Sequence, residues 1–255
     1  MWRRFLEWRG VIAIAVLASV SLWLGVEGRL GFYIHPRYNL FTMVMASIAI
    51  VLLMIAVATR RDRHHGHEHT QSQGRRRSRE RRLARGETMS LGFIACVVAT
   101  VLVLPPATLS SATADNRSSN AVDALGSPEG LDGEGGLEIY ETLTVRDWAS
   151  LLSQNQNPSY YRSKPVNTVG VVTASEDSPD VFLLTRFVVT CCAVDAQPVS
   201  IPVYMPDWQG EVQLDSWVRI EGGFQPAPSG VTNSPVVIVP LSITDEEVPN
   251  EPYLF

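Results

Sequence analysis

The sequence predicts a membrane protein in which three transmembrane helices anchor a mainly β C-terminal domain. Three long apolar runs lie within residues 1–108, whereas residues 109–255 are acidic and rich in Pro, Gly, Ser and β-branched residues. The formal net charge of −5 hides this division. Arginine is also distributed unevenly between the flanks of the apolar runs, which predicts their orientation.

The apolar runs are the predicted spans, at about residues 8–26, 40–58 and 89–107. A hydrocarbon core is crossed by roughly 20 apolar helical residues. A buried soluble helix rarely stays apolar on every face for that length. The first run has a basic start and the third is followed by small residues, so each also resembles a signal peptide in part. Three retained spans are the favoured interpretation.

Arginine in the flanks predicts the sidedness. Three arginines lie before or at the start of the first span, two lie between the first and second spans, and ten lie in residues 60–87. Because Lys and Arg accumulate on the cytoplasmic side, the N-terminus and residues 59–88 are predicted inside. The protein is therefore predicted to be a multi-pass protein of the cell membrane with its C-terminal domain extracytoplasmic.

The inner loop, residues 59–88, is of low complexity and has too few apolar residues to form a core. Its arginines are expected to lie against anionic lipid headgroups. Four of the five histidines in the chain lie here: His64, His65, His67 and His69. Clustered imidazoles can bind a transition metal. A solvated polar loop and weak metal capture both remain open as interpretations.

Residues 109–136 are predicted to be a flexible linker, because Ser, Ala, Asp and Gly dominate them. The domain that follows, 137–255, opens with a predicted helix over Thr144–Leu152. Thr144 is its expected N-cap, with acidic Asp147 three residues later. Val145, Trp148, Leu151 and Leu152 recur at helical spacing.

Five strand-like runs follow the helix, separated by Pro, Gly, Asp or Ser. They are Val166–Thr173, Val181–Thr190, Val199–Met205, Trp217–Phe224 and Val236–Thr244. One helix and five short strands suit a small antiparallel barrel of OB type, and an open sandwich fits nearly as well. No nucleic-acid partner is expected, because residues 109–255 carry twenty acidic against six basic residues.

Adjacent cysteines, Cys191 and Cys192, are the main candidate site. With Asp195 or a distant His they could bind Zn²⁺ or Cu⁺. His35, the single histidine predicted outside the membrane, is the natural further ligand. Alternatively, the thiols form a strained vicinal disulfide that responds to redox conditions.

A third interpretation is structural. The two cysteines would form a β-bulge in which both thiols serve as small packed residues, with Arg186 paired to Asp195 across the hairpin. Zinc and copper ions are the candidate cofactors under the metal interpretation. The residues alone leave the three interpretations open.

No catalytic motif is present: the chain has no Gly-x-Ser-x-Gly, phosphate loop or His-Glu-x-x-His. We therefore expect that the protein is not an enzyme. The cores of the predicted spans also carry no charged residue, so no ion path is expected through this chain alone.

Two segments resemble the YcgQ-type family of bacterial membrane proteins. The first is Tyr-Ile-His-Pro-Arg at 33–37, with motif positions Tyr33, Pro36 and Arg37 around His35. The second is the Arg-Phe…Cys-Cys…Asp-Ala pattern that begins at Arg186. The acidic C-terminal tail is similar too. The Arg/His-rich inner loop and the linker lie outside the resemblance.

That family is described as one subunit of a two-component permease, paired with a larger multi-span permease. The resemblance implies an accessory subunit whose outer domain captures or presents a solute, with metal-ion handling as the expectation. It marks His35, Cys191, Cys192 and Asp195 without assigning their roles. The alternative is a structural or thiol-redox-sensing envelope protein that binds a protein partner.

Overall fold

The computed structural model describes residues 2–62, 109–117, 120–125 and 137–255. The chain divides into two compact units, Met1–Ala107 and Thr108–Phe255. The predicted third span, 89–107, and residues 63–88 with the four clustered histidines lie outside the described residues.

Two long helices make up the described part of the first unit: α1 (Trp2–Val26) and α2 (Asn39–Asp62). Two 3-10 turns, Arg29–Phe32 and Pro36–Tyr38, connect them. The helices approach closely at Gly25, where a Cβ would lie 2.8 Å from Cγ of Met43.

Within the described residues, one helical segment, Pro36–Thr59, is long and apolar enough to cross a membrane. It contains the predicted second span. The first predicted span coincides with a shorter apolar helix, Gly10–Val26, which falls below the length of roughly 20 residues that a bilayer core requires. One candidate membrane helix is therefore present in the described residues, rather than the three that the sequence predicts.

The second unit begins with short helices, α3 (Ser111–Asp115) and α4 (Val122–Leu125), followed by a 3-10 turn at Leu137–Thr142. The helix predicted at 144–152 is α5 (Val145–Gln154), and α6 (Pro158–Tyr161) follows it. The predicted N-cap is confirmed, because Thr144 and Asp147 form a reciprocal capping box.

Six strands form one mixed sheet. They are β1 (Pro165–Ala174), β2 (Val181–Val188), β3 (Gln197–Tyr204), β4 (Trp217–Pro226), β5 (Val236–Asp245) and β6 (Tyr253–Leu254). The five predicted runs are confirmed as strands. The sequence did not predict β6, and β2 ends two residues before the predicted run does.

The sheet closes on itself. Its strand order is β1-β4-β5-β3-β2-β6, and β1 also pairs with β2. Most pairs are antiparallel, but β3 and β5 run parallel, as do β2 and β6. Five strands thus form a closed ring, and β6 lies beside β2.

The inner face of the ring is the main hydrophobic core. The side chains of α5 close one side of it: Val145 and Trp148 are fully buried, and Leu151 is buried as well. Trp148 packs edge-on against Phe224 at a centroid distance of 4.9 Å. The helical spacing that predicted α5 is therefore the spacing of its buried face.

A polar row runs along the outer face of β1, β2 and β3. The hydroxyls of Thr173 and Thr185 are 2.7 Å apart, and those of Thr185 and Ser200 are 2.8 Å apart. Their strand neighbours belong to the main core, so alternation turns these hydroxyls outward. All three are nevertheless buried.

The segment that covers this row comprises residues 109–117 and 120–125, here called the strap. Ser111 N donates to Asp215 Oδ1 at 2.6 Å. The side chain of Asn120 pairs with the backbone of Ser200 as a neighbouring strand would. Its Oδ1 accepts from Ser200 N at 2.8 Å, and its Nδ2 donates to Ser200 O at 3.0 Å. The sequence predicted a flexible linker over 109–136. The strap differs from that prediction, because its polar groups hydrogen-bond to Asp215 and to β3.

Candidate functional site

The Cys-Cys turn, residues 189–196, joins β2 to β3. Its centre is Asp195, whose carboxylate accepts three backbone amides: Thr190 N at 3.1 Å, Cys191 N at 2.8 Å and Cys192 N at 3.3 Å. A 3-10 turn over Ala193–Asp195 returns the carboxylate to these amides. The Asp three residues after Cys192 therefore caps the turn, in the manner of a helix N-terminus.

Both cysteines lie beyond the end of β2, so the alternation of a strand does not apply to them. Cys191 is exposed, Cys192 is half-buried, and both are free thiols. The structural interpretation, in which both thiols pack inside a β-bulge, is therefore wrong. The chain instead presents the two thiols on a turn.

The site brings three of the predicted ligands together. One donor atom from each of Cys191, Cys192 and Asp195 lies within 4.8 Å of the other two. Metal–sulfur bonds to zinc are about 2.3 Å long, so the two sulfurs at this spacing can share one ion after small adjustments.

Hydrogen bonding determines the protonation of the site. The pKa of the Cys191 thiol is raised to about 11, chiefly by its hydrogen bond to Asp195 and next by that to Cys192. For Asp195, burial acts to raise the pKa, but hydrogen bonds from the Cys191 thiol and the turn amides outweigh it and lower the pKa. A cation that binds the Cys191 sulfur must therefore displace a proton.

The sequence did not reveal what holds the turn in place. Val189 N donates to Leu254 O at 2.9 Å, which ties the turn to β6. Arg117 of the strap donates to Val194 O at 3.0 Å, while the Val194 side chain is 82% exposed. A second small core beneath the turn contains Ala114, Phe187, Val189, Ala196 and Tyr253.

Arg186 lies close to this site in sequence but has a structural environment of its own. Its guanidinium is buried and donates to Val169 O at 3.4 Å and Glu251 O at 3.0 Å. It also lies over the ring of Trp217 at 5.1 Å. The pairing with Asp195 that the sequence suggested is wrong, because Asp195 bonds to the turn amides.

The other predicted motif residues belong to the first unit. His35 is the N-cap of the turn Pro36–Tyr38, and its Nδ1 accepts from Arg37 N at 3.1 Å. Arg37 lies over the ring of Tyr38 at 4.9 Å, and Tyr33 ends the preceding 3-10 turn. The use of His35 as a ligand stays a prediction.

Fold and site together define the class: a protein with an apolar helical unit and a closed β-domain that presents two cysteines and a capping aspartate on a turn. The chain belongs to the DUF1980 family. The DUF1980 N-terminal domain matches residues 9–120, and the DUF1980 C-terminal domain matches residues 141–255.

No curated protein matches this chain. One similar solved structure is described as "OBody AM3L09 bound to hen egg-white lysozyme". It is 19% identical over 36% of this chain and 90% of that chain, with a TM-score of 0.24. A score this low supports no argument about fold or function.

Proposed function

We propose that this protein is an accessory subunit of a membrane permease complex, and that its β-domain captures or presents a transition-metal ion at the Cys-Cys turn. The observation that carries the proposal is the convergence of donor atoms from Cys191, Cys192 and Asp195 on an exposed turn. Thiolates are ligands that suit zinc or copper.

The membrane arrangement is part of the proposal. We propose three membrane crossings. Two are supported by the candidate span Pro36–Thr59 and the apolar helix Gly10–Val26, and the third is proposed at 89–107. The excess of arginine in 60–87 favours a cytoplasmic loop and an extracytoplasmic β-domain. In this arrangement the thiols meet solutes before these reach the bilayer.

A larger multi-span partner is proposed because the apolar runs offer no polar path of their own. The resemblance of residues 33–37 and 186–196 to YcgQ-type proteins favours the same partner. The strand order, with β1 paired to both β2 and β4 and β3 parallel to β5, favours an OB-type barrel for the domain.

Metal loading tests the proposal directly. The full-length chain in detergent, reduced and free of metal, is titrated with Zn²⁺ and separately with Cu⁺, and bound metal is measured after gel filtration. We expect one ion per chain, lost in the double variant Cys191→Ser/Cys192→Ser. Cys96→Ser is the matched control, since Cys96 lies in the predicted third span. Binding of the same stoichiometry and affinity in the double variant and the parent protein would exclude the turn.

Capture of the native complex tests the partner. The chain is purified in mild detergent from membranes of its own host, and co-purifying proteins are identified by mass spectrometry. A multi-span protein recovered in constant ratio supports the accessory role. Recovery of the chain alone under conditions that preserve known membrane complexes would contradict it.

A second candidate, from a different class, is a thiol-redox-sensing envelope protein. The adjacency and exposure of Cys191 and Cys192 favour it. The raised pKa of the Cys191 thiol opposes it, because the thiolate is the species that reacts. Intact mass with and without reductant distinguishes the two. A gain of two hydrogen atoms on reduction would indicate a vicinal disulfide.

A further inference from the structure

Asp195 has few lone pairs left for a metal. A carboxylate offers about four acceptor positions, two on each oxygen. Oδ2 accepts from both Cys191 N and Cys192 N, and Oδ1 accepts from Thr190 N. The carboxylate is thus engaged with the backbone of the turn on both oxygens.

Turning Asp195 toward a metal would undo the turn. The three amides of residues 190–192 would lose their shared acceptor, and the 3-10 turn that follows would lose its cap. Hydrogen bonds to a charged acceptor are the stronger kind, so this loss is large compared with one additional oxygen ligand. The aspartate is better used to orient the thiols than to bind the ion.

Two thiols then remain as donors. In the part of the chain that the structure describes, the group of closely spaced donors consists of Cys191, Cys192 and Asp195. Zinc is almost always four-coordinate in structural sites. Soft thiolate ligands suit both Cu⁺ and zinc. The coordination number separates the two ions, because Cu⁺ is stable with two thiolates in a linear arrangement.

Resting on the proposed function, we infer that the ion is monovalent copper, bound by the sulfurs of Cys191 and Cys192, with Asp195 as a positioning residue. Each sulfur loses its proton to solvent and forms one bond to copper. The product is a copper dithiolate with one net negative charge, and two protons are released. Copper arrives and remains as Cu⁺, so no electron is transferred.

The test uses the full-length chain in detergent, under anaerobic conditions, with the four loop histidines changed to alanine. Cu⁺ is supplied from a chromophoric chelator that reports the affinity by competition. X-ray absorption at the copper edge then counts the scattering atoms. We expect one Cu⁺ per chain with two sulfur neighbours and no oxygen, and much weaker binding of Zn²⁺ by the same sample.

Variants separate ligands from the positioning residue. Cys191→Ser and Cys192→Ser should each abolish the two-sulfur spectrum, whereas Cys96→Ser should leave it unchanged. Asp195→Asn should keep two sulfur neighbours but weaken binding about 10–100-fold, as loss of an outer-shell partner does. Asp195→Glu, which retains the carboxylate, should recover part of that loss.

The outcomes are distinguishable. An oxygen neighbour in the parent spectrum that disappears in Asp195→Asn would overturn the positioning role. Zn²⁺ bound more tightly than Cu⁺ through the same cysteines would overturn the choice of ion but leave the proposed metal capture intact. Reduced, folded protein that binds neither ion would sink both.

Discussion

Tyr161 shows how one buried hydroxyl makes stability depend on pH. The residue is fully buried, and its hydroxyl donates to Leu151 O at 2.9 Å, with Asn155 O also within hydrogen-bonding distance. Burial, and then repulsion from the charge that Tyr160 would carry, raises its pKa from 10.0 to about 12. The folded state therefore holds the phenolic proton more tightly than the unfolded state does.

Because the pKa of Tyr161 is higher in the folded state than in the unfolded state, its contribution to the free energy of unfolding is complete below pH 10. That contribution is lost as pH rises toward about 12. We expect Tyr161→Phe to cost about 1 kcal/mol at neutral pH and to flatten the alkaline loss of stability. Urea unfolding at a series of pH values measures both. Tyr204→Phe, at the half-buried end of β3, is the control. If Tyr161→Phe lost stability at alkaline pH as steeply as the parent protein does, the role of Tyr161 would be contradicted.

Arg186 is a buried cation that the fold depends on. It joins the C-terminal segment to the barrel through Glu251 O and lies over the Trp217 ring. Burial lowers its pKa to about 10, still far above neutral, so a cation is buried here. We expect Arg186→Lys to destabilise the fold by about 2 kcal/mol, because an ammonium cannot reproduce the planar fork.

The control for this variant is Arg219→Lys. Arg219 also carries a guanidinium on a strand, but it pairs with Glu246 near the surface, with its side chain 40% exposed. A loss below about 1 kcal/mol is expected for an exposed pair. Equal losses in the two variants, measured by chemical denaturation, would show that burial of Arg186 is unimportant.

At the scale of an element, β4 depends on a glycine where the sheet changes register. The pairing of β4 with β5 shifts between Glu221 and Gly222. A Cβ on Gly222 would meet the carbonyl oxygen of Val239, while nothing lies within 4 Å of a Cβ on Gly223. Backbone can approach backbone this closely only where the side chain is absent.

We therefore expect Gly222→Ala to destabilise the domain by about 1–3 kcal/mol, because the β5 backbone must move. Gly223→Ala is the neighbouring control and should change stability by less than about 1 kcal/mol. Thermal unfolding followed by circular dichroism compares them. If the two variants melt at the same temperature, the close approach to Val239 does not constrain the barrel.

Single elements were the best predicted part of the fold. Thr144 and Asp147 indicated the start of α5 because a capping box is local chemistry, complete within four residues. The strand-like run Trp217–Phe224 indicated β4 for the same reason, because apolar/polar alternation is also a local pattern. By contrast, β6 has two residues, Tyr253 and Leu254, and its partner β2 lies more than sixty residues earlier. No local pattern can encode that pairing.

For the whole molecule, the strap is the feature that most changes the predicted organisation. Asn120 has a positive φ of 58° and makes three hydrogen bonds to β3, two with Ser200 and one with Pro198 O. We expect Asn120→Ala to destabilise the second unit by about 1–3 kcal/mol, because the buried Ser200 amide loses its acceptor. Hydrogen exchange at Ser200 should quicken with it.

Asn116→Ala is the matched control in the strap. Asn116 is exposed, and its side chain donates to Ala112 O in the adjoining helix α3. It should leave exchange at Ser200 unchanged. Equal exchange rates in Asn120→Ala and the parent protein would mean that the strap is not fastened at this point.

Sidedness is a prediction about the whole molecule as well. A phosphatase reporter, active only outside the cytoplasm, is fused after Phe255 and, in a second fusion, within residues 70–74. Activity of the first fusion alone is expected, because the arginine-rich loop resists translocation. The reverse pattern would put the thiols in the cytoplasm and remove the basis for capture outside the cell.

Local residue patterns were enough to predict the apolar stretches, the capped helix and the five main strands, because each depends on neighbours within a few residues. The sequence also marked Cys191, Cys192 and Asp195. The folded structure was needed to show that these residues lie on a turn beyond the end of β2, that backbone amides engage Asp195, and that the strap is docked. Those outcomes depend on hydrogen bonds between segments far apart in the chain, and residue spacing carries no record of them.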